Sequence, residues 1–118
     1  MGNSRDFVNL VLELLAPLGE VTARAMFGGH GLYLDGLTFA LIADDTLYFK
    51  VDDGNRPAFE AVGLEPFRPF PDKPSYVMSY YEAPPDALED AAELQPWAQG
   101  AFAAALRNRK PKKKKAKS

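Results

Sequence analysis

The sequence contains no cysteine and a single histidine, His30. Without thiols the chain cannot form a disulfide, a cysteine-ligated zinc site or a thiolate nucleophile. One imidazole likewise excludes any site that needs two histidines. No apolar run approaches the roughly 18 residues that span a bilayer, and the first 15 residues lack the uninterrupted apolar core of a secretory signal. We therefore expect a cytoplasmic protein with no membrane insertion, no cofactor and no metal.

The composition that is present belongs to an ordinary globular domain, but its charge is unevenly distributed. Hydrophobic residues make up 47% of the 118 residues and charged residues 25%, which suits one domain with its own core. The net charge is −2. Residues 107–118 carry eight of the 14 cations, whereas residues 1–106 carry six cations and all 16 acids. The body is thus near −10 and the tail near +8.

Apolar periodicity and turn residues divide the body into helices and strands. The spacing predicts a helix over residues 4–16, capped by Ser4. The elements predicted after it are three or four antiparallel strands (21–26, 31–34, 37–43 and 46–51), a short helix (55–62), a proline-rich edge segment or irregular loop (66–74), a strand (75–82) and a final helix (90–108). This order predicts an α+β fold: an antiparallel sheet of about five or six strands with an N-terminal helix, a short middle helix and a C-terminal helix.

Local signals define some of the element ends. Asp35-Gly36 between apolar runs predicts a type I′ hairpin turn, because both central residues of that turn need positive φ. Asp90 fits the capping position of the final helix. Pro96 cannot donate a helix hydrogen bond. We expect it either to kink the helix or to make the helix begin near Leu94.

Three patterns resemble catalytic or binding sites, and each has a simpler structural interpretation. The glycine-rich residues 28–31 resemble a phosphate loop, but a strand follows them and no Lys-Ser/Thr is present, which favours a bent strand connection. His30 has no recognisable nucleophile or orienting partner that would make it a general base. The acid pairs at 44–45 and 52–53 lack calcium-loop spacing and are interpreted as turn and capping residues. We therefore predict no catalytic residue and no metal ligand.

The predicted strand at 75–82 places Tyr76, Met78 and Tyr80 on one face. An exposed aromatic strand can stack single-stranded bases. Such a platform needs neighbouring cations, and the sequence supplies only Lys73 nearby. Core packing and edge pairing are therefore the favoured interpretation of this strand.

The basic tail is the most distinctive chemical feature of the sequence. A run of like charges is too polar to pack, so residues 109–118 are predicted to be disordered. An inert tail and a weak, nonspecific contact with nucleic acid are equally supported, since the acidic body competes for the same cations. Phosphate contacts carry no sequence information. The residues that would make them are Lys110, Lys112, Lys113, Lys114, Lys115 and Lys117.

A series of blocks resembles the N-terminal domain of the TfoX (Sxy) competence regulators. The blocks are residues 24–33 (RAMFGGHGLY), 35–36 (DG), 39–44 (FALIAD), 47–52 (LYFKVD), 55–56 (NR), 59–61 (FEA), 78–81 (MSYY), 88–90 (LED) and 97–98 (WA). The resemblance covers about residues 7–106 and implies an α+β domain at 1–108 without known catalytic activity. Full-length members regulate competence and DNA-uptake genes together with a transcription factor. They carry a second, helical domain, which this sequence lacks, so the resemblance implies a stand-alone form.

The resemblance predicts a non-enzymatic regulatory domain that binds a protein partner, with transcription modulated through that partner. Homo-oligomerisation is compatible with this prediction. The candidate partner-binding residues are Arg24, Lys50, Arg56 and Tyr80. Arg24 and Lys50 can bind an acidic partner or pair internally, and internal pairing is favoured because ion-pair networks are common. Their internal partners would be Asp35, Asp52 or Glu82.

Overall fold

A computed structural model of the chain describes residues 5–26, 29–70, 72–73 and 75–109, with the backbone alone at Met26. Ser4, the predicted cap of the first helix, lies outside these ranges. So do the six lysines predicted to contact nucleic acid. The boundary between a domain at 1–108 and a disordered tail at 109–118 therefore stays a prediction.

The described residues form an antiparallel sheet with helices before, within and after it. In chain order the elements are α1 (Arg5–Leu15), β1 (Thr22–Met26), β2 (Gly29–Leu34), β3 (Leu37–Ala43), β4 (Thr46–Lys50), α2 (Arg56–Ala61), β5 (Tyr80–Glu82) and α3 (Ala91–Arg107). The strands lie side by side in the order β1-β2-β3-β4-β5, and every pair is antiparallel. The predicted α+β class and its three helices are confirmed, with five strands in the sheet.

Tight turns with positive φ join the central strands. At the turn between β2 and β3, φ is 53° at Asp35 and 80° at Gly36. These are the signs that the predicted type I′ turn requires. At the turn between β3 and β4, Asp44 and Asp45 have φ of 51° and 55°. Aspartate is one of the few residues that enter this region, so the acid pair has a conformational role.

Gly29 and Gly31 of the glycine-rich segment lie in β2, which pairs with β1, in agreement with the predicted strand connection. Gly28 lies outside the described residues. Gly29 pairs with Met26, so β2 begins two residues earlier than the predicted strand at 31–34. A Cβ atom at Gly29 would collide with the carbonyl oxygen of Ile42 on β3. Glycine is needed there because the two backbones approach closely.

The three helices pack on one face of the sheet and enclose the core. A β-bulge shapes this core, because Leu32 pairs with Ala40 while Tyr33 pairs with Thr38, which leaves Phe39 as an extra residue. Phe39 is fully buried, and its ring meets Phe102 of α3 edge-on with centroids 6.1 Å apart. Other core residues are Val11 and Leu15 of α1, Ile42, Leu47 and Phe49 of the sheet, Phe59 of α2, and Leu94, Ala98 and Ala101 of α3.

The last helix is continuous through its proline. Asp90 caps it as predicted, since its carboxylate accepts a hydrogen bond from the Ala92 amide at 2.9 Å. The helix runs from Ala91 to Arg107, so the alternative start near Leu94 is wrong. Pro96 is exposed to solvent, where water can hydrate the carbonyl that its missing N–H leaves unpaired.

The predicted strand at 75–82 is wrong over residues 75–79, because only Tyr80–Glu82 is a strand. The preceding chain folds into a flap, defined here as residues 66–78, of which 71 and 74 lie outside the described set. The Phe67 amide donates to the Tyr80 carbonyl at 2.7 Å, and the Met78 amide donates to the Phe67 carbonyl at 2.9 Å. Pro66 forms an isolated bridge with Tyr81, so the proline-rich segment starts as an edge beside β5. The other described residues of 66–74 are irregular, so each of the two predicted alternatives holds for part of the segment.

Candidate interaction surface

The face of the sheet opposite the helices carries a row of tyrosines and cations. We call it the open face. Strand alternation places its side chains: in β4, Leu47 and Phe49 enter the core while Tyr48 and Lys50 point to the other side. This confirms the predicted assignment of β4 to its two faces. The register then aligns Arg24, Gly31, Leu41, Tyr48 and Glu82 across the five strands.

Two cations on the open face lie over tyrosine rings. The guanidinium carbon of Arg24 is 5.6 Å from the centroid of the Tyr33 ring. The Lys50 ammonium is 5.2 Å from the centroid of the Tyr80 ring, and the two residues are directly paired across β4 and β5. These distances suit cation–π attraction. Three of the four predicted partner-binding residues thus lie on one face.

The predicted internal ion pairs of Arg24 and Lys50 are not formed. Among the described residues, the ion pairs are Arg56–Asp53 at 2.6 Å, Arg68–Glu65 at 3.1 Å and Arg107–Asp52 at 2.6 Å. Asp52, one of the expected partners, is therefore engaged by α3. The physical reason is the register, which places Arg24 and Lys50 beside rings and not beside carboxylates.

Arg56 lies apart from the other predicted partner-binding residues. It begins α2 on the helical side of the sheet, where Phe59 of the same helix contacts Trp97 with ring centroids 4.8 Å apart. Its guanidinium is paired with Asp53, which raises the pKa of Arg56. Arg56 therefore does not contribute to the open face.

A groove runs between the open face and the flap. Its volume is about 690 Å³, within the range of roughly 300–1,000 Å³ that ligand sites occupy. Leu41 and Tyr80 form buried parts of its floor, at 9% and 8% exposure, and neither belongs to the main core cluster. The flap supplies the wall through Phe67, Phe70, Tyr76 and Met78. The sequence pattern thus grouped Tyr76, Met78 and Tyr80 correctly, although they do not share a strand.

The flap exposes apolar side chains to solvent. Phe70, Tyr76 and Val77 are 47%, 51% and 47% exposed. They are half of the six large hydrophobic residues that are exposed in the described part of the chain. Phe70 and Tyr76 contact each other with ring centroids 5.2 Å apart. Contiguous exposed apolar surface of this kind marks interaction sites.

The hydroxyls of Tyr48 and Tyr80 are neutral hydrogen-bond donors at pH 7, because the pKa of each is raised. Burial raises the pKa of Tyr80 above its ordinary value of 10.0. The pKa of Tyr48 is also raised, first by burial and then by the nearby carboxylates of Glu82 and Asp44. The aromatic ring of Tyr48 leans on Phe67 of the flap, with centroids 4.7 Å apart. These phenols can therefore bind a carboxylate without themselves carrying charge.

The residues that the sequence suggested for catalysis or metal binding lie in a strand and in turns. His30 lies on β2 and lines the groove. Within residues 5–26, 29–70, 72–73 and 75–109, no three His, Asp or Glu side chains are grouped as metal ligands. No helix in the same ranges is long and apolar enough to cross a membrane.

The main feature that the sequence analysis missed is the flap wall. Phe67 and Phe70 of that wall were not singled out, although aromatic residues in a proline-rich segment are a signal of a surface loop with a binding role. Their relation to Leu41 and Tyr80 depends on how the flap folds over the sheet.

The fold and this surface define a class: a small α+β domain with one helix-covered sheet face and one aromatic face beside a groove. Comparison with known families makes the class specific, because the model of the TfoX N-terminal domain matches residues 13–105. This match covers most of the chain, which therefore belongs to the TfoX N-terminal domain family. The family is not a known enzyme family. Among curated proteins, none matches the chain.

Proposed function

We propose that this protein is a non-enzymatic regulatory domain of the competence-regulator type that binds a partner protein through its open face. Transcription is modulated through that partner. The observation that carries the proposal is the contact of Lys50 with Tyr80, whose ring lines an aromatic groove. Family membership supports the regulatory class, and the surface chemistry supports protein contact.

The open face carries residue types that commonly dominate the binding free energy of protein interfaces. Tyrosine, tryptophan and arginine are enriched at positions whose loss costs most binding free energy. The open face presents Arg24 over Tyr33 and Lys50 over Tyr80. These side chains are already held in place by their ring contacts, so little rotamer entropy is lost when a partner binds.

Site-directed photocrosslinking in the native host tests this proposal. A photoreactive benzoylphenylalanine replaces Thr38 on the groove, and the matched control carries it at Glu13 on the exposed side of α1. We expect a discrete covalent adduct from position 38 and none from position 13. Mass spectrometry of the adduct should identify a regulator of transcription. Identical adducts from both positions, or a partner without any role in gene regulation, would contradict the proposal.

A further inference from the structure

We infer that the groove beneath the flap binds an acidic peptide segment anchored by an aromatic side chain. This deepens the proposed function, on which it rests, by stating the chemistry of the partner. The carboxylates of the segment lie toward Lys50 and Arg24, and its ring enters the apolar groove between Tyr80 and the flap.

The distribution of cations favours an acidic partner. Of the six cations in residues 1–106, four lie on the open face or in the flap, whereas Arg5 and Arg56 lie on helices. The four are Arg24, Lys50, Arg68 and Lys73. Neither Arg24 nor Lys50 has an ion-pair partner among the described residues, although the body carries 16 acids. A carboxylate that reaches these two cations gains attraction without displacing an internal carboxylate.

The groove has a polarity that orients such a segment. Lys50 is the last residue of β4 and pairs with Tyr80, which lines the groove, so the Lys50 ammonium lies just outside the lining. Asp44 lines the groove from the turn before β4, and the length of that strand separates it from Lys50. An acidic residue is attracted to the Lys50 end and repelled from the Asp44 end. The same charges fix the direction of the bound segment.

The apolar lining of the groove adds a second requirement to charge, which is an aromatic side chain on the bound peptide. The groove is walled by Phe67, Phe70, Tyr76 and Met78, and methionine beside aromatic rings adapts well to an inserted side chain. Phe70 and Tyr76 are about half exposed, so an inserted ring buries apolar area on both partners. Aromatic anchors in such grooves supply most of the binding free energy of short peptides.

A single-stranded nucleic acid also combines rings with negative charge, but it suits this surface less well. Its affinity depends on neutralising a phosphate at every nucleotide. Among the described residues, the only cation that lines the groove is Arg68, which is paired with Glu65, and Asp44 lines it as well. The body that surrounds the groove carries a net charge near −10. The lysines of residues 110–118 have the same sign as Lys50, so charge complementarity favours a foreign segment over the chain's own tail.

Fluorescence anisotropy with the full chain at 0.15 M salt tests the inference. The probe is a fluorescein-labelled octapeptide with two central phenylalanines flanked by aspartates. One control peptide replaces both phenylalanines with alanine and keeps the charge, which reports any binding by the basic tail. A second replaces the aspartates with lysines. We expect each control to bind at least about tenfold more weakly, which corresponds to about 1.4 kcal/mol.

Matched protein variants locate the binding site. Lys50→Gln should weaken binding of the acidic phenylalanine peptide about tenfold, whereas Arg5→Gln, which removes the same charge from α1, should change it less than about twofold. Tyr80→Phe keeps the ring and should retain most of the affinity. Thermal unfolding of each variant reports its folding. Equal effects of Lys50→Gln and Arg5→Gln in folded proteins would overturn the inference.

Two further outcomes would also overturn it: no binding of the acidic phenylalanine peptide at millimolar concentration, or tighter binding of an oligothymidylate that is sensitive to Lys50→Gln. These failures are distinguishable from failure of the proposed function. A regulator crosslinked at position 38 in cells would uphold the proposed function even if no acidic peptide bound. Peptide binding without any such crosslink would uphold only the groove chemistry.

Discussion

The guanidinium of Arg107, at the end of α3, donates to both carboxylate oxygens of Asp52, 55 residues earlier in the chain, at 2.6 Å each. Asp52 also accepts from the Gly54 amide at 2.9 Å and from the Asn108 side-chain amide at 3.0 Å. A Cβ atom at Gly54 would lie 2.7 Å from a terminal nitrogen of Arg107. Glycine at this position therefore makes room for the guanidinium, and the contact fixes the helix end to the loop after β4.

The first prediction concerns the pH dependence of this contact. Hydrogen bonds from Arg107 hold the pKa of Asp52 well below its ordinary range. A carboxyl whose pKa is lower in the folded state stabilises fully above its unfolded pKa, near 4, and loses that contribution as pH falls below it. We expect Asp52→Asn to lower the free energy of unfolding at pH 7 and to lower it by a smaller amount at pH 3, where the carboxyl of the unfolded chain is already largely protonated while that of the folded chain is still charged.

Urea unfolding of wild type and Asp52→Asn at both pH values measures this difference. Arg107→Lys is the matched control, because lysine keeps the charge but cannot form the two-pronged contact. At pH 7, the free energy of unfolding of Arg107→Lys should therefore lie below that of the wild type. A loss of stability in Asp52→Asn that is the same at pH 3 and pH 7 would show that the carboxylate charge is not what matters.

A second prediction compares two glycines. Gly29→Ala should destabilise the protein by about 1–3 kcal/mol, because the new methyl group meets the Ile42 carbonyl of the paired strand. Gly100→Ala should stabilise it by about 0.5–1 kcal/mol, because its methyl group would lie 3.8 Å from the Asn55 Cβ, an ordinary contact, inside α3. Denaturant midpoints measure both. Destabilisation by Gly100→Ala would mean that α3 and α2 pack more tightly than the structure has them.

A third prediction separates the core from the groove. Phe39→Ala should cost about 3–5 kcal/mol, since it removes a fully buried ring that packs on α3. Phe70→Ala should change stability by about 0.5 kcal/mol or less, because the ring is 47% exposed at the flap. Calorimetry of the two variants tests the contrast. Comparable losses would mean that the flap contributes to the folding core.

A fourth prediction concerns the basic tail. If the protein binds duplex DNA nonspecifically, removal of residues 110–118 should abolish that binding, because the remaining body is strongly acidic and Arg107 is engaged by Asp52. The logarithm of the full chain's affinity should fall with the logarithm of salt concentration by about 0.9 for each phosphate contacted. Filter binding at several salt concentrations measures this slope. Affinity that survives the truncation would assign DNA binding to the folded body.

Features that neighbouring residues in the sequence determine could be predicted. Features that depend on how distant strands pair could not. Asp35-Gly36 fixes its turn because few residues adopt the required φ, and the alternation of β4 assigned Tyr48 and Lys50 to one face. The contact between Lys50 and Tyr80 needs the pairing of β4 with β5, although Tyr80 lies 30 positions after Lys50 in the chain. No local pattern carries that information, so an ion pair was expected in its place.

The strand predicted at 75–82 failed for a related reason. Alternating apolar residues there fit a strand, but Phe67 hydrogen-bonds to both Met78 and Tyr80 and draws the preceding chain into the flap. The periodicity correctly identified which side chains face together. The periodicity could not show that Tyr76 and Met78 line a groove, because the facing residues, such as Leu41, come from a distant strand of the sheet.

The meander order of the sheet has a consequence for how the molecule forms. β1 to β4 join neighbours in sequence through short turns, so their loop-closure entropy is small, whereas β5 closes a much longer loop. Early assembly of the four-stranded ribbon and late docking of β5 follow from this difference. Substitutions around Tyr80 should then accelerate unfolding while leaving refolding rates almost unaltered in stopped-flow experiments.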